Sequence, residues 1–135
     1  MPAAKKAIPA LTWDCALEKT AQNVSNQCIF AHSTNRNNVG ENLFTFSSSA
    51  AITVNGMGKA ASYAWKKEFQ DFGWSSISFT TDVFNSGVGH ATQMAWAATK
   101  KIGCGIALCK GNKQAIVTCQ YKDAGNYLNA LVYTP

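Results

Sequence analysis

Ile102-Gly103-Cys104-Gly105-Ile106-Ala107-Leu108-Cys109-Lys110-Gly111-Asn112-Lys113-Gln114-Ala115-Ile116-Val117-Thr118-Cys119-Gln120-Tyr121 reads as two strands and the turn between them. Ile102, Cys104, Ile106 and Leu108 alternate, as do Ala115, Val117, Cys119 and Tyr121. A period of two puts each set on one face of an extended chain. Lys110-Gly111-Asn112-Lys113 supplies the turn, so the pair is an antiparallel hairpin. Just upstream, Met94, Trp96 and Ala98 alternate too, which predicts a further short strand.

Three of the five cysteines, Cys104, Cys109 and Cys119, lie in this hairpin; Cys15 and Cys28 precede it. No C-x-x-C pair occurs, which argues against a zinc ribbon or a thioredoxin-like site. Many cysteines without metal spacing favour disulfides and an oxidising compartment. Cys104 and Cys109 are five residues apart, so they face opposite sides of a strand and take different partners. Cys104–Cys119 is the cross-strand candidate, and Cys28–Cys109 would tie the first helix to the sheet. Each bridge is worth about 2–4 kcal/mol. Cys15 is then unpaired, or paired to a segment outside this chain.

Upstream of the hairpin the period changes. Trp13, Leu17, Ala21, Val24 and Cys28 lie on one helical face, with Thr12 as N-cap. Residues 33–42 read as a polar loop, and the Ser-rich residues 46–56 end at the turn Asn55-Gly56. A second helix is predicted over Met57–Phe72, with Met57, Ala61, Ala64, Glu68 and Phe72 on one stripe and Trp65 beside it. Glu68 stands where an apolar residue belongs. Either it has a partner that offsets burial of its charge, or it marks the wet edge of the stripe. Phe72-Gly73-Trp74 closes this helix, and a polar loop runs to Gly89. Helices followed by a short antiparallel sheet indicate α+β or a layered sandwich.

The 135 residues suit one domain. With 47% apolar and 14% charged residues the composition is that of a cored globular protein. The net charge of +5 comes mostly from scattered lysines; Arg36 is the single arginine. No basic stripe is interleaved with aromatics, so a nucleic-acid partner gains no support. No apolar run approaches the roughly 20 residues of a transmembrane helix. Met1–Lys6 lacks the apolar core of a secretion leader, which reads as a trimmed or incomplete chain. Asn23-Val24-Ser25 is a glycosylation sequon.

Gly89-His90-Ala91-Thr92-Gln93-Met94-Ala95-Trp96 resembles the first signature of the CAP superfamily (cysteine-rich secretory, antigen 5 and pathogenesis-related 1 proteins), G-H-[aromatic]-T-Q-x-x-W. Cys119 through Tyr127 resembles the second, C-x-Y-x-P-x-G-N. His32-Ser33, Gly40-Glu41-Asn42-Leu43, the W-x-x-E run from Trp65 to Glu68, and Ile102-Gly103-Cys104-Gly105 are similar to shorter family motifs. They occur in the family's order over roughly residues 11–133. The resemblance is nearest to the nematode activation-associated secreted, or venom-allergen-like, proteins. Ala91 replaces the usual aromatic, a change expected to widen the pocket mouth or loosen the histidine's packing. Asp123 stands where Pro is common, a change expected to alter only a loop.

The resemblance implies an α+β fold: a three-layer α-β-α sandwich with a central antiparallel sheet, forming a single domain over residues 1–135. The family's first helix precedes the Trp13 region and has no counterpart here, so an N-terminally incomplete chain is expected. The resemblance also implies a cleft built from His32, Glu41, Glu68 and His90. Two imidazoles and two carboxylates suit a divalent ion such as Zn²⁺. His32 and His90 would be the direct ligands, with Glu41 and Glu68 as ligands or as orienters of the rings. Taken singly, His32 and His90 also read as structural histidines and Glu41 as a loop cap.

The function implied is that of a secreted, extracellular binding or signalling protein. Its partners would be a host or other extracellular protein receptor, or a sterol or lipid; a homodimer is compatible. Four Trp and seven Phe are expected to fill the core, which favours surface grooves over an internal cavity. The alternative is a zinc-dependent hydrolase, a protease or esterase, using the same four residues. Neither H-E-x-x-H nor G-x-S-x-G occurs, and nothing in the sequence activates Ser33 or Ser86.

Overall fold

A computed structural model describes all residues, 1–135. In chain order the elements are β1 (Thr12–Trp13), α1 (Cys15–Asn26), β2 (Gly40–Ser47), α2 (Met57–Phe72), α3 (Thr81–Asn85), α4 (Gly89–Ala95), β3 (Lys101–Cys109) and β4 (Gln114–Lys122). The hairpin β3–β4 is the centre of the sheet, with Ile102 opposite Tyr121, Cys104 opposite Cys119 and Ile106 opposite Val117. Strand β2 runs antiparallel along the other edge of β4, and two-residue β1 joins β3 in parallel. The sheet order is β1-β3-β4-β2.

The two faces of the hairpin are covered differently. Even positions of β3 and odd positions of β4 meet α2: Ala61 and Trp65 pack on Val117, Cys119 and Tyr121, with Ile102, Cys104 and Ile106 alongside. The opposite face meets α1, which buries Leu17, Ala21, Val24 and Ser25. Burial of each large apolar side chain stabilises by about 1.5–3 kcal/mol. The result is three layers, helix on sheet on helix.

Helix α1 lies so close to β3 that Gly103 and Gly105 have no room for a side chain. A Cβ on Gly103 would sit 2.1 Å from the Glu18 nitrogen, and one on Gly105 would sit 2.3 Å from the Gln22 Cα. The approach lets polar groups of α1 serve the sheet. The Gln22 amide donates to the Ile106 carbonyl (2.8 Å) and accepts from the Ile106 N–H (2.9 Å), so one side chain takes the place of a neighbouring strand. Ser25, fully buried, donates to the Gly105 carbonyl (3.1 Å) and pairs with Thr118.

Cys28 is bridged to Cys109, fastening the end of α1 to the end of β3, and Cys104 is bridged to Cys119 across the hairpin. Cys104 and Cys119 are directly opposed with Cα atoms 4.1 Å apart, and Cys109 lies on the α1 face. Cys15 is a free, exposed thiol.

Several local expectations are corrected. The cap of α1 is Asp14, whose carboxylate accepts from the Leu17 N–H (2.9 Å); Thr12 and Trp13 belong to β1. The polar loop ends at Gly40, because β2 buries Glu41 and Asn42 as well as Leu43, and polar residues in a strand hide its pattern. Met94 and Trp96 are not in a strand: residues 89–95 form α4, which buries Ala91, Thr92 and Gln93. The segment after Trp74 contains α3, capped by Thr80. On α2 the buried line runs through Ala61 and Trp65, while Phe72 is exposed. The aromatics do not all enter the core: Trp13, Phe30, Phe46, Phe72 and Phe84 are exposed. A second cluster of Phe79, Val83, Val88, Trp96, Val132 and Tyr133 packs α3 against the C-terminal segment.

Gly105→Ala is expected to destabilise the chain by about 1–3 kcal/mol, since backbone must move to admit one methyl group. Gly58→Ala, whose nearest neighbour is a flexible Ile106 methyl at 4.0 Å, is expected to cost nothing. Urea unfolding of the two variants checks the contrast.

Candidate functional site

Four separate segments bring His32, Glu41, Glu68 and His90 into two pairs. His32 follows the Cys28–Cys109 bridge, Glu41 is the second residue of β2, Glu68 is on α2, and His90 is the second residue of α4. His32 Nδ1 lies 2.9 Å from Glu41 Oε1, and His90 Nδ1 lies 2.7 Å from Glu68 Oε2. Both rings line one hollow of about 260 Å³ with Glu41, Asn42, Phe84 and Asn126. Glu68 is not in its wall; it stands behind His90.

The Glu41 side chain has no exposed surface. Its Oε1 faces His32 and accepts from the Ser33 N–H (2.9 Å); its Oε2 accepts from the Ser33 hydroxyl (2.6 Å) and the Gln120 amide (2.9 Å). Burial pushes this carboxyl up, but the bonds from His32, Ser33 and Gln120 outweigh it and hold it at about 2. With both oxygens doubly engaged, Glu41 acts as a brace and has no lone pair to spare for a metal. Glu68 is the analogous brace, accepting from the Ala91 N–H (3.0 Å) besides facing His90. Its partner settles the question its sequence position raised.

Supporting residues hold the rings further. Trp65 stacks on His90, centroids 6.0 Å apart at 12°. The Asn42 amide donates to the His90 carbonyl and to the Tyr121 hydroxyl. Asn126 ties the second signature to α4, donating to the Gly89 carbonyl and accepting from Thr92. Ala91 is 1% exposed, so this substitution lies under the site and not at its mouth. Composition and spacing gave no sign that Asn42, Gln120 and Asn126 hold the site; their presence within motif segments was the one available signal. The Ser33 hydroxyl is committed to Glu41, and that of Ser86 to the Val83 carbonyl.

No three His, Cys, Asp or Glu residues form a group that could hold a metal. A carboxylate on Nδ1 fixes each ring and leaves Nε2 as its remaining nitrogen, the arrangement in which a histidine ligates with an acid behind it. The two Nε2 atoms are therefore the ring nitrogens left for an incoming ligand.

The α-β-α sandwich defines a class of protein, and likeness to known sequences and structures names the family. The model of the cysteine-rich secretory protein (CAP) family matches residues 4–121, and the chain belongs to that family. It is 35% identical to "Ancylostoma secreted protein" of Ancylostoma caninum over 130 residues, covering 92% of this chain and 30% of that protein. It is 40% identical to "Venom allergen 3" of Solenopsis invicta, covering 98% of this chain and 58% of that one. This chain thus spans less than two thirds of each of these relatives. The solved structure of BmVAL-1 matches with TM-score 0.95 and 40% identity, over 99% of this chain and 68% of that one. NaASP2 with Zn²⁺ matches with TM-score 0.90 and 38% identity, over 98% and 70%. The chain is of the venom-allergen and secreted-protein type. No helix is long and apolar enough to cross a membrane.

The low Glu41 value sets an acid dependence. Its folded value of about 2 lies below the ordinary 4.5, so its contribution is full above pH 4.5 and is lost as pH falls through about 2. At about 1.4 kcal/mol per unit the effect is on the order of 3 kcal/mol. Glu41→Gln is expected to be less stable at neutral pH and to show a flatter stability profile in this window, read by urea unfolding at stepped pH.

Proposed function

We propose that this chain is an extracellular CAP-domain binding protein whose hollow takes a divalent cation, Zn²⁺ suiting its donors, through His32 and His90. The observation that carries the reading is the pairing of each imidazole Nδ1 with a carboxylate that is itself held by other donors. A relative of 38% identity was solved with Zn²⁺, which supports the ion. Two disulfides and secreted relatives support the compartment. The partner we assign is an extracellular protein, such as a host receptor. Phe84 is 60% exposed on the hollow's wall, and Ile29 and Phe30, just before His32, are exposed too; apolar groups beside a polar hollow suit a protein contact.

Calorimetric titration with Zn²⁺ tests the cation site. His32→Ala and His90→Ala are each expected to abolish or sharply weaken binding, and Glu68→Gln to weaken it about 10–100-fold. Undiminished binding by the double histidine variant would refute the assignment.

A separate hollow favours a lipid as a second ligand class. About 550 Å³ in volume, it lies over β3 between α1 and the start of α2, walled by Trp13, Val54, Ile102, Ile106, Val117 and the Cys104–Cys119 bridge. Such an apolar groove with a polar rim fits a fatty acid or sterol. Val54→Lys is expected to lower the affinity for a fluorescent fatty acid or sterol about tenfold, the effect of roughly 1.4 kcal/mol. Failure of both probes to bind the unaltered chain removes the lipid reading.

A further inference from the structure

We propose that Asn23 carries an N-linked glycan whose first sugar lies in a groove between α1 and the loop of residues 33–39. The proposal rests on the extracellular reading, because the modification requires passage through a secretory compartment. Two independent observations converge. Asn23-Val24-Ser25 is an acceptor triplet, and Asn23 is exposed on α1. Asn23 also lines a hollow of about 390 Å³ that neither histidine lines. Its floor is the apolar surface of Leu17 and Val24, and its rim carries the amides and guanidinium of Asn35, Arg36 and Asn37. A pyranose ring presents C–H groups on one side and hydroxyl and acetamido groups at its edge. An apolar floor with amide rims matches that division, and the volume lies within the roughly 300–1,000 Å³ of ordinary ligand sites.

The structure also fixes when the transfer occurs. Ser25 must be accessible for the triplet to be read, yet its hydroxyl is fully buried between Gly105 and Thr118. The modification therefore precedes docking of α1 on the sheet. In the transfer, Asn23 Nδ2 forms a bond to C1 of the sugar. The C1–O bond to the pyrophosphate of a lipid-linked oligosaccharide donor breaks, the pyrophosphoryl lipid departs with the bonding pair, and the amide loses one proton. Once folded, the glycan rests against the loop that holds Ser33 and Arg36 beside Glu41.

The chain is to be expressed behind a secretion leader in insect cells and its mass measured in the medium and in the cell-associated pool. One glycan is expected, absent from Asn23→Gln, whose exposed position leaves folding intact. Peptide N-glycosidase F is expected to release it about tenfold or more slowly from native than from reduced, denatured protein, because native release needs local opening. A wild-type chain with no added mass in either pool overturns the site. Equal release rates overturn the seating in the groove. Poor export would count against the extracellular reading alone, since the added mass is read in both pools.

Discussion

A carboxylate stripped of water must be surrounded by donors, and that requirement at Glu41 organises the functional end of this protein. Charge burial costs several kcal/mol unless hydrogen bonds replace the lost hydration. The donors to Glu41 come from the loop after α1, through His32 and Ser33, and from β4, through Gln120. A single buried charge thereby ties the 32–39 segment to β2 and β4, which their backbone ladder already joins. The Cys28–Cys109 bridge completes the frame by fixing the start of that segment to the sheet.

The second pair follows the same logic with a wetter carboxylate. Glu68 retains 14% side-chain exposure and makes fewer bonds, and His90 gains its rigidity from Trp65 and from the α4 backbone that Asn42 and Asn126 hold. One ring is thus braced mainly by charge and the other largely by packing. In both pairs Nδ1 faces the carboxylate and Nε2 is the nitrogen left over.

The face of the sheet under α1 explains why a small core suffices. Gly103 and Gly105 let a helix backbone touch a strand, and Gln22, Ser25 and Thr118 make that contact a polar one. The apolar face under α2 is only partly covered, leaving the open groove over β3. Large aromatics that would fill a thicker core lie on the surface instead, Phe84 on the wall of the His–Glu hollow among them.

The hairpin, its cysteine parity and α2 were legible in the sequence because each repeats a strong local pattern: alternation over 102–121 and helical spacing over 57–72. The motifs likewise named His32, Glu41, Glu68 and His90. Strand β2 was not legible, since Glu41 and Asn42 are buried for their bonds and not for their hydrophobicity. Helix α4 was misread because its buried face is made of Ala91, Thr92 and Gln93, which no apolar period reveals. Which carboxylate faces which ring was decided only in three dimensions. Hydrogen-bond partners distant along the chain, such as Gln120 for Glu41, are chosen by how the layers pack, and local sequence carries no record of that choice.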